Sequence, residues 1–178
     1  DKPILDSLGI DKNKPEKQQR NQTGSPILEE GDILLNTTLA ETNDWQQVDL
    51  PVVRTLRHFC IETLSSYTED NQACISEVDL LDDKGQPIDK TKWEVVYVSS
   101  EQADKNLGIA ENLFDGDISS FWHTDPATEP GQPHRIIVDI KEIYKISALR
   151  FKVRKGAFLS GKVKEINVYG RPQFFLFH

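Results

Sequence analysis

The 178-residue sequence predicts an all-β fold, with a single β-sandwich as the architecture that fits best. Short stretches that alternate apolar with polar residues, or that are rich in Val, Ile, Tyr and Trp, recur at intervals of about 8–20 residues. Turn signals containing Gly, Pro and Asp separate these stretches. No segment of about a dozen residues has the 3.6-residue period of an amphipathic helix. These observations together favour strands joined by turns.

The N-terminal part differs in composition from the rest. Asp1–Glu30 is rich in Lys, Gln, Asn and Asp, contains prolines and has no sustained apolar period. This composition is typical of a linker or an extended arm. We therefore expect the folded domain to span residues 31–178 and the arm to be at most loosely attached.

Apolar alternation locates the strands of the predicted sandwich. Leu149, Phe151 and Val153 alternate with basic residues, which is the pattern of a strand with one buried face. The apolar residues at 174–177 are expected to pack back on the sandwich rather than extend into solvent. Strands are predicted at Thr55–Leu64, Cys74–Leu81, Lys92–Val98, Arg135–Ile140, Leu149–Val153 and Lys162–Tyr169, with short strands or irregular lead-ins at Ile33–Leu35 and Trp45–Leu50.

Charge and composition exclude several classes of partner. The net charge of −8 disfavours nucleic acid, whose phosphates require a basic surface, and it disfavours electrostatic binding to an anionic membrane. The sequence has no apolar run of about 18 residues that would span a bilayer. It also has no hydrolase or phosphate-binding motif and no recognisable pair of catalytic carboxylates. We therefore predict a non-catalytic protein with no catalytic residues.

The cysteines and tryptophans have structural explanations. Cys60 and Cys74 lack zinc-ligand spacing, and they form either a disulfide between neighbouring strands or two unpaired thiols, of which we favour the second. Cys60 should face away from its apolar neighbours in the strand. Trp93 and Trp122 are expected in the core, whereas the sequence does not place Trp45.

One loop concentrates the chemistry of this chain. Glu111–Thr124 reads ENLFDGDISSFWHT and contains an Asp-Gly turn. Asp115, Asp117 and Ser120 supply oxygens, and a hard cation such as Ca²⁺ takes about six to eight of these. Phe121–Trp122 would anchor the loop to the core. The alternative is that the two aspartates only form a solvated turn.

This loop resembles the signature of the discoidin, or coagulation factor five/eight type C, domains. These are galactose-binding-like β-sandwiches (jelly rolls) that include the family 32 carbohydrate-binding modules. Pro133–Ile140, Ile146–Arg154 and Gly161–Tyr169 resemble further strands of the family. Arg57–Leu81 resembles the last two strands of the galactose oxidase sugar-binding domain, but here it precedes the loop. Val52–Gly170 thus resembles a circularly permuted version, of the type appended to bacterial glycoside hydrolases.

The resemblance implies a structural Ca²⁺ site and a sugar site. His123 and Arg154 match positions that bind sugar hydroxyls, and Phe158 lies in the loop that supplies a stacking ring. Their alternatives are a histidine bonded to backbone, a solvated strand-end charge and loop packing. Glu101 and Asn106 could assist at the rim. The implied cation ligands are the carbonyls of Asn112 and Ser76, the carboxylates of Glu77, Asp115 and Asp117, and Ser120.

The implied function is non-catalytic carbohydrate binding. The glycan would be of galactose or N-acetylhexosamine type, and the module would target a secreted glycoside hydrolase, such as a hexosaminidase, in an extracellular, periplasmic or cell-surface location. The first alternative is a structural or docking module that packs on its parent enzyme or binds a protein partner without binding sugar. The second is a protein- or lipid-binding discoidin module, which the net charge disfavours.

Overall fold

Antiparallel strands form almost all of the regular structure, in agreement with the predicted all-β sandwich. The structure is a computed structural model and describes residues 15, 16, 20, 22–153 and 161–178. Within these ranges, the only helices are short 3-10 turns at Glu30–Asp32, Asp104–Asn106 and Ala110–Phe114. The strands are β1 (Pro26–Ile27), β2 (Ile33–Thr38), β3 (Gln46–Thr63), β4 (Cys74–Asp82), β5 (Glu94–Val98), β6 (Trp122–His123), β7 (His134–Val153), β8 (Glu165–Arg171) and β9 (Leu176–Phe177).

Two long strands, β3 and β7, run through both layers of the sandwich. The main sheet has the order β2-β8-β3-β7-β4-β6, and β5 also pairs with β7. The first part of β7 pairs with the second part of β3 and with β5, whereas its last part pairs with the start of β3 and with β4. Register shifts in the β3–β7 ladder, between Asp49 and Arg54 and between Leu56 and His58, lie where the two parts meet. Bulges of this kind bend a sheet, which lets one continuous ladder supply both layers.

The continuity of β7 differs from the sequence prediction of two strands separated near residues 141–145. Lys141 adopts a positive φ of 74°, and its N–H donates to Asp139 Oδ1 at 2.7 Å. The chain therefore bends at this point without leaving the sheet. Likewise, the lead-in at Trp45–Leu50 and the strand predicted from Thr55 form one strand, because the residues between them, including Pro51, lie in the bulged part of β3.

The main core lies between the layers and contains Phe59, Ile61, Trp93 and Trp122, so both tryptophans are buried as predicted. Cys60 faces the other way, also as predicted. It belongs to a second apolar cluster on the outer side of the sheet. The members of that cluster are Cys60, Ile137, Tyr169 and Phe175, with Leu28, Ile33, Tyr97 and Phe177 packed against them.

β1 and the C-terminal segment together cover this outer cluster. β1 pairs with β9, and the N–H of His178 donates to the carbonyl of Ser25 at 3.0 Å. The residues at 174–177 therefore pack back on the sandwich. The segment from Ser25 onwards is attached to the fold through the same pairing, whereas the division into 1–30 and 31–178 stays a prediction.

No disulfide joins the two cysteines: Cys60 lies in the outer cluster, while Cys74 pairs with His123 between β4 and β6. Among the described residues, no helix is long and apolar enough to cross a membrane.

Candidate cation site and binding loops

The loop at 111–124 is held against β4 at its C-terminal end. β6 pairs antiparallel with β4, so that Trp122 lies opposite Ile75 and His123 opposite Cys74. Phe121 is 3% exposed and Trp122 is fully buried, with the indole N–H donating to the carbonyl of Ser100 at 3.1 Å. The aromatic pair therefore anchors the loop as the sequence predicts.

The other end of the loop meets β4 through a carboxylate. Gly116 has a φ of 80°, a conformation that glycine adopts without steric cost, and its N–H donates to Glu77 Oε1 at 2.8 Å. The carboxyl groups of Asp115 and Glu77 lie within hydrogen-bonding reach of each other. Ser120 Oγ donates to Asp115 Oδ2 at 2.5 Å. Glu77, Asp115 and Ser120, three of the predicted cation ligands, are thus connected through direct contacts.

The remaining predicted ligands are arranged differently. The carboxylate of Asp117 accepts hydrogen bonds from Ser119, from its N–H at 2.9 Å and from Oγ at 2.6 Å, whereas its carbonyl accepts from Ser120 Oγ at 3.0 Å. Asn112 donates its side-chain amide to nearby carbonyls, including that of Phe121 at 3.1 Å. Ser76 lies where the register of β4 against β7 shifts, so its carbonyl falls at an irregularity of the ladder.

Electrostatics at Glu77 reflect its burial. The residue is 1% exposed, and burial, reinforced by the neighbouring carboxyl of Asp115, raises the pKa of Glu77 to about 8, although Lys90 acts in the opposite direction. The Lys90 ammonium pairs with Glu77 Oε2 and lies 2.6 Å from Asp79 Oδ1. The sequence did not indicate that a lysine from the β4–β5 connection would reach this carboxylate.

The donor set fits a hard cation in its chemistry. The predicted ligands offer oxygen atoms alone, and two carboxyl groups in contact favour a positive charge between them. Within the described part of the chain, no group of three or more His, Cys, Asp or Glu side chains lies close enough to hold a metal by itself. A cation here would therefore need the hydroxyl and carbonyl oxygens as well.

His123, the predicted sugar-binding histidine, lies in β6 and is 4% exposed. Its ring Nδ1 lies 2.6 Å from the carbonyl of Thr124, and its ring meets that of Phe121 edge-on with centroids 6.4 Å apart. Its backbone bonds to Gln102 and Gly108. A Cβ on Gly108 would come within 2.9 Å of the Cβ of His123, so only glycine allows this close approach. The histidine is thus enclosed by the loop at 102–108.

The other two predicted ligand residues, Arg154 and Phe158, lie outside the described residues. The flanks of that segment are described. Val153 pairs with Ile75, and the carbonyl of Gly161 accepts from the N–H of Cys74 at 2.8 Å. Both flanks therefore meet β4 at the two residues that pair with β6, but on the opposite edge of β4, so that β4 lies between them and the strand of His123.

Sequence reasoning missed a cleft of about 680 Å³ beside these loops. It lies between the N-terminal arm and the loops at 98–104 and 125–128. Arg20 reaches from the arm to Glu101, with Nε–Oε2 at 2.6 Å, and to Glu111, with Nη2–Oε1 at 2.5 Å. Glu101, proposed from the sequence as a rim residue, therefore binds the arm. Asn106, the other proposed rim residue, also meets the arm, because its Nδ2 donates to the carbonyl of Pro15 at 2.7 Å. This contact could not be predicted from the sequence, because Arg20 lies in a polar segment with no motif or apolar pattern around it.

Comparison with known proteins supports the resemblance. Residues 95–173 match the family model of the F5/8 type C domain. The chain is also similar to a sialidase from Micromonospora viridifaciens, with 33% identity over 84 residues. That alignment covers 46% of this chain and 13% of the sialidase. The chain thus spans only a small part of that relative. The antiparallel layers confirm the predicted all-β sandwich, and the match over residues 95–173 is consistent with a discoidin-type domain. Because the match begins after Arg57–Leu81, the circular permutation stays a prediction.

Proposed function

We propose that this chain is a non-catalytic carbohydrate-binding module that takes galactose- or N-acetylhexosamine-type glycans at the loops carrying His123, Arg154 and Phe158. The observation that carries the proposal is the F5/8 type C match over residues 95–173, which contains all three positions. Domains of this kind are typically non-catalytic and often bind carbohydrate. The similarity to a sialidase adds support, since that name denotes an enzyme that acts on a sugar.

The described geometry is compatible with a shared site. His123 lies on β6, and both flanks of the segment carrying Arg154 and Phe158 meet the part of β4 that pairs with β6. Imidazole and guanidinium groups can bracket a sugar hydroxyl, while an aromatic ring covers the apolar face of the pyranose. Because His123 is 4% exposed, it would act at the floor of such a site rather than at its rim.

The cation completes this proposal as a structural element. Ca²⁺ would bind the oxygens of Glu77, Asp115 and Ser120, with the carbonyl or carboxylate oxygens of Ser76, Asn112 and Asp117. It would join the loop at 111–124 to β4 and so stabilise the strand that carries His123. It would not take part in catalysis.

The biological setting is part of the same proposal. The module would belong to a larger secreted glycoside hydrolase, such as a hexosaminidase, and would hold the enzyme near its glycan in an extracellular, periplasmic or cell-surface location. Weak single-site binding, roughly 0.1–1 mM, is expected for a site with one stacking ring and two charged groups. Multivalent glycans would raise the apparent affinity without new contacts.

Chemical-shift mapping with galactose, N-acetylgalactosamine and N-acetylglucosamine tests the sugar site. We expect shifts that cluster at residues 102–108, 121–124 and 153–161 and disappear in Arg154→Ala, since a lost charged hydrogen bond costs about 1.5–3 kcal/mol. Arg54→Ala is a matched control, because Arg54 pairs with Ile146 in the middle of the same ladder, away from the end that leads into Arg154. If no sugar perturbs these loops at tens of millimolar, the docking-module alternative replaces this proposal.

A further inference from the structure

Trp45, which the sequence could not place, is the exposed tryptophan of this chain. It is 39% exposed, whereas Trp93 and Trp122 are 5% and 0% exposed. The guanidinium carbon of Arg150 lies 5.4 Å from the centroid of the Trp45 ring. A guanidinium at this distance stabilises an aromatic face and fixes its orientation.

The loop that presents Trp45 is held by specific polar contacts. The side-chain amide of Gln46 accepts from the N–H of Ala40 at 2.7 Å and donates to its carbonyl at 3.2 Å, which closes residues 40–46 into a tight unit. Lys152 is 7% exposed, and its ammonium donates to the carbonyl of Asn43 at 2.6 Å. Burying the Lys152 ammonium has a desolvation cost, which this hydrogen bond to the loop backbone offsets. The contact therefore fixes the loop that carries Trp45.

Polar groups line the sheet beside the ring. Gln47 on β3, Arg150 on β7 and Asp79 on β4 lie directly opposite one another and form one row across three strands. Within the described residues, the Arg150 guanidinium donates a hydrogen bond from Nη2 to Asp79 Oδ2 at 3.3 Å. The Arg150 side chain remains 38% exposed, and Gln47 is also exposed. Gln47 Nε2 donates to Asp49 Oδ1 at 2.9 Å, which leaves the amide oxygen of Gln47 and the exposed part of the Arg150 guanidinium next to the aromatic ring.

We infer that Trp45, Arg150 and Gln47 form a second glycan-contact site, on the sheet face, that takes a single pyranose unit. A pyranose presents a C–H face to an aromatic ring and hydroxyl groups around its edge, which matches an indole that has a guanidinium over one face, an open opposite face and an amide nearby. A protein partner is a poorer match, because the residues beside Trp45 in this row are polar or charged rather than a contiguous apolar patch.

This inference rests on the proposed function for the class of ligand, but the site is separate. It shares no residue with the loops of His123, Arg154 and Phe158. Two contact points on one module would allow it to bind adjacent sugars of a longer glycan, with the second contact formed at high effective concentration.

The indole ¹⁵N–¹H resonances test the site in the full chain, because Trp45, Trp93 and Trp122 give three separate signals. The probes are galactose, N-acetylgalactosamine, N-acetylglucosamine and a soluble galactose-containing oligosaccharide. We expect the Trp45 signal to shift on titration and to keep shifting in His123→Ala. Arg150→Ala should weaken this response by about tenfold, and Trp45→Ala should abolish sheet-face shifts. Phe174→Ala removes another exposed ring, on β9's side of the molecule, and should leave the response unchanged.

The outcomes separate this inference from the proposed function. If the loops respond to sugar while the Trp45 signal stays still, the sheet-face site is wrong and the loop site stands. If neither responds, both are wrong. If the Trp45 signal changes with protein concentration in the absence of sugar, the row is a contact between copies of the chain, which also overturns the inference. If the sugar affinity read from the Trp45 signal is the same in Arg150→Ala as in the wild type, the guanidinium does not contact the sugar and the assignment is wrong.

Discussion

The ring of Phe174 stacks on the imidazole of His58, with centroids 4.2 Å apart and planes 14° from parallel. Phe174 is itself 56% exposed, whereas His58 is 1% exposed, so the C-terminal segment covers the histidine. Neither ring nitrogen of His58 has a hydrogen-bond partner within the described residues, and Nε2 lies 3.7 Å from Asp139 Oδ1. The segment after β8 thus covers a buried histidine that has a carboxylate nearby.

The burial of His58 predicts a loss of stability in mild acid. Burial lowers the pKa of His58 below its ordinary value, and the positive charges of Arg57 and Arg171 act in the same direction, although Asp139 opposes them. The unfolded chain therefore binds a proton more readily than the folded one. The contribution of His58 to the free energy of unfolding should be largest above about pH 6.5 and should fall, by at most about 1.4 kcal/mol per pH unit, as the pH drops towards the folded pKa. Glu77 contributes a slope of opposite sign up to about pH 8, because its pKa is raised in the folded state, so the His58 effect is the difference between the wild type and His58→Gln.

Urea denaturation between pH 8 and pH 5 measures this effect. His58→Gln should remove the His58 contribution, the loss of stability towards acid in this window, while Asp139→Asn should retain it, because the pKa of Asp139 is lowered from an already acidic value. Phe174→Ala should also reduce the slope by exposing the imidazole. An identical pH dependence in the wild type and His58→Gln would show that His58 is not the titrating group.

Calcium should raise the thermal stability of the protein. If Ca²⁺ binds the folded state alone, a hundredfold excess over Kd adds about 2.7 kcal/mol to the free energy of unfolding, or roughly 5–10 °C in Tm for a chain of this size. Differential scanning fluorimetry with and without chelator measures the shift. Asp115→Asn should abolish it, since Asp115 contacts both Glu77 and Ser120.

Asp89→Asn provides the matched control, because Asp89 is an exposed aspartate in a turn, bonded to Thr91, and takes no part in the proposed site. If chelator, Ca²⁺ and Asp115→Asn all leave the Tm unchanged, the protein does not bind the proposed cation. In that case, the Lys90 ammonium alone would pair with the Glu77 carboxylate.

The arm should be protected from trypsin at Arg20. The Arg20 side chain is 15% exposed and is paired with Glu101 and Glu111. Trypsin must bind this side chain in its specificity pocket to cleave the peptide bond after Arg20, so both ion pairs have to break first. Glu101→Gln should speed cleavage there severalfold, with a change in overall stability below about 1 kcal/mol, because the pair is partly exposed. Glu165→Gln, on β8, is the control. If the wild type, Glu101→Gln and Glu165→Gln are all cleaved equally fast, the contacts of Arg20 do not protect the arm, and the loosely attached arm predicted from the composition is correct.

Both thiols should resist modification in the folded protein. Cys60 is fully buried and Cys74 is 1% exposed, and burial raises the pKa of Cys60, which suppresses its reactive thiolate form. Ellman's reagent should therefore react slowly in buffer and with two thiols per chain in denaturant. The absence of reactive thiols in denaturant would indicate a disulfide between Cys60 and Cys74 and would contradict their separate positions in the fold.

Much of the fold and part of the candidate site could be predicted from local sequence. Alternation identified the buried faces around Leu149–Val153 and the opposite facing of Cys60, because neighbouring side chains in a strand point to opposite sides. The loop at 111–124 was recognised by its turn and aromatic residues. Its anchoring by Phe121 and Trp122 follows from their size, and the structure agrees.

The sequence alone determined the class of fold, the buried positions and the family resemblance, since these depend on residue type and on spacings of a few positions. The tertiary structure decided the contacts between distant residues. It made β7 one bent strand, placed Lys90 at Glu77, joined Arg20 to Glu101 and set Arg150 against Trp45. The physical reason is that such pairs depend on how strands, bulges and connections are arranged in space, which brings together side chains 13 positions apart for Lys90 and Glu77 and 81 positions apart for Arg20 and Glu101, and no local pattern in the chain encodes which partner is met.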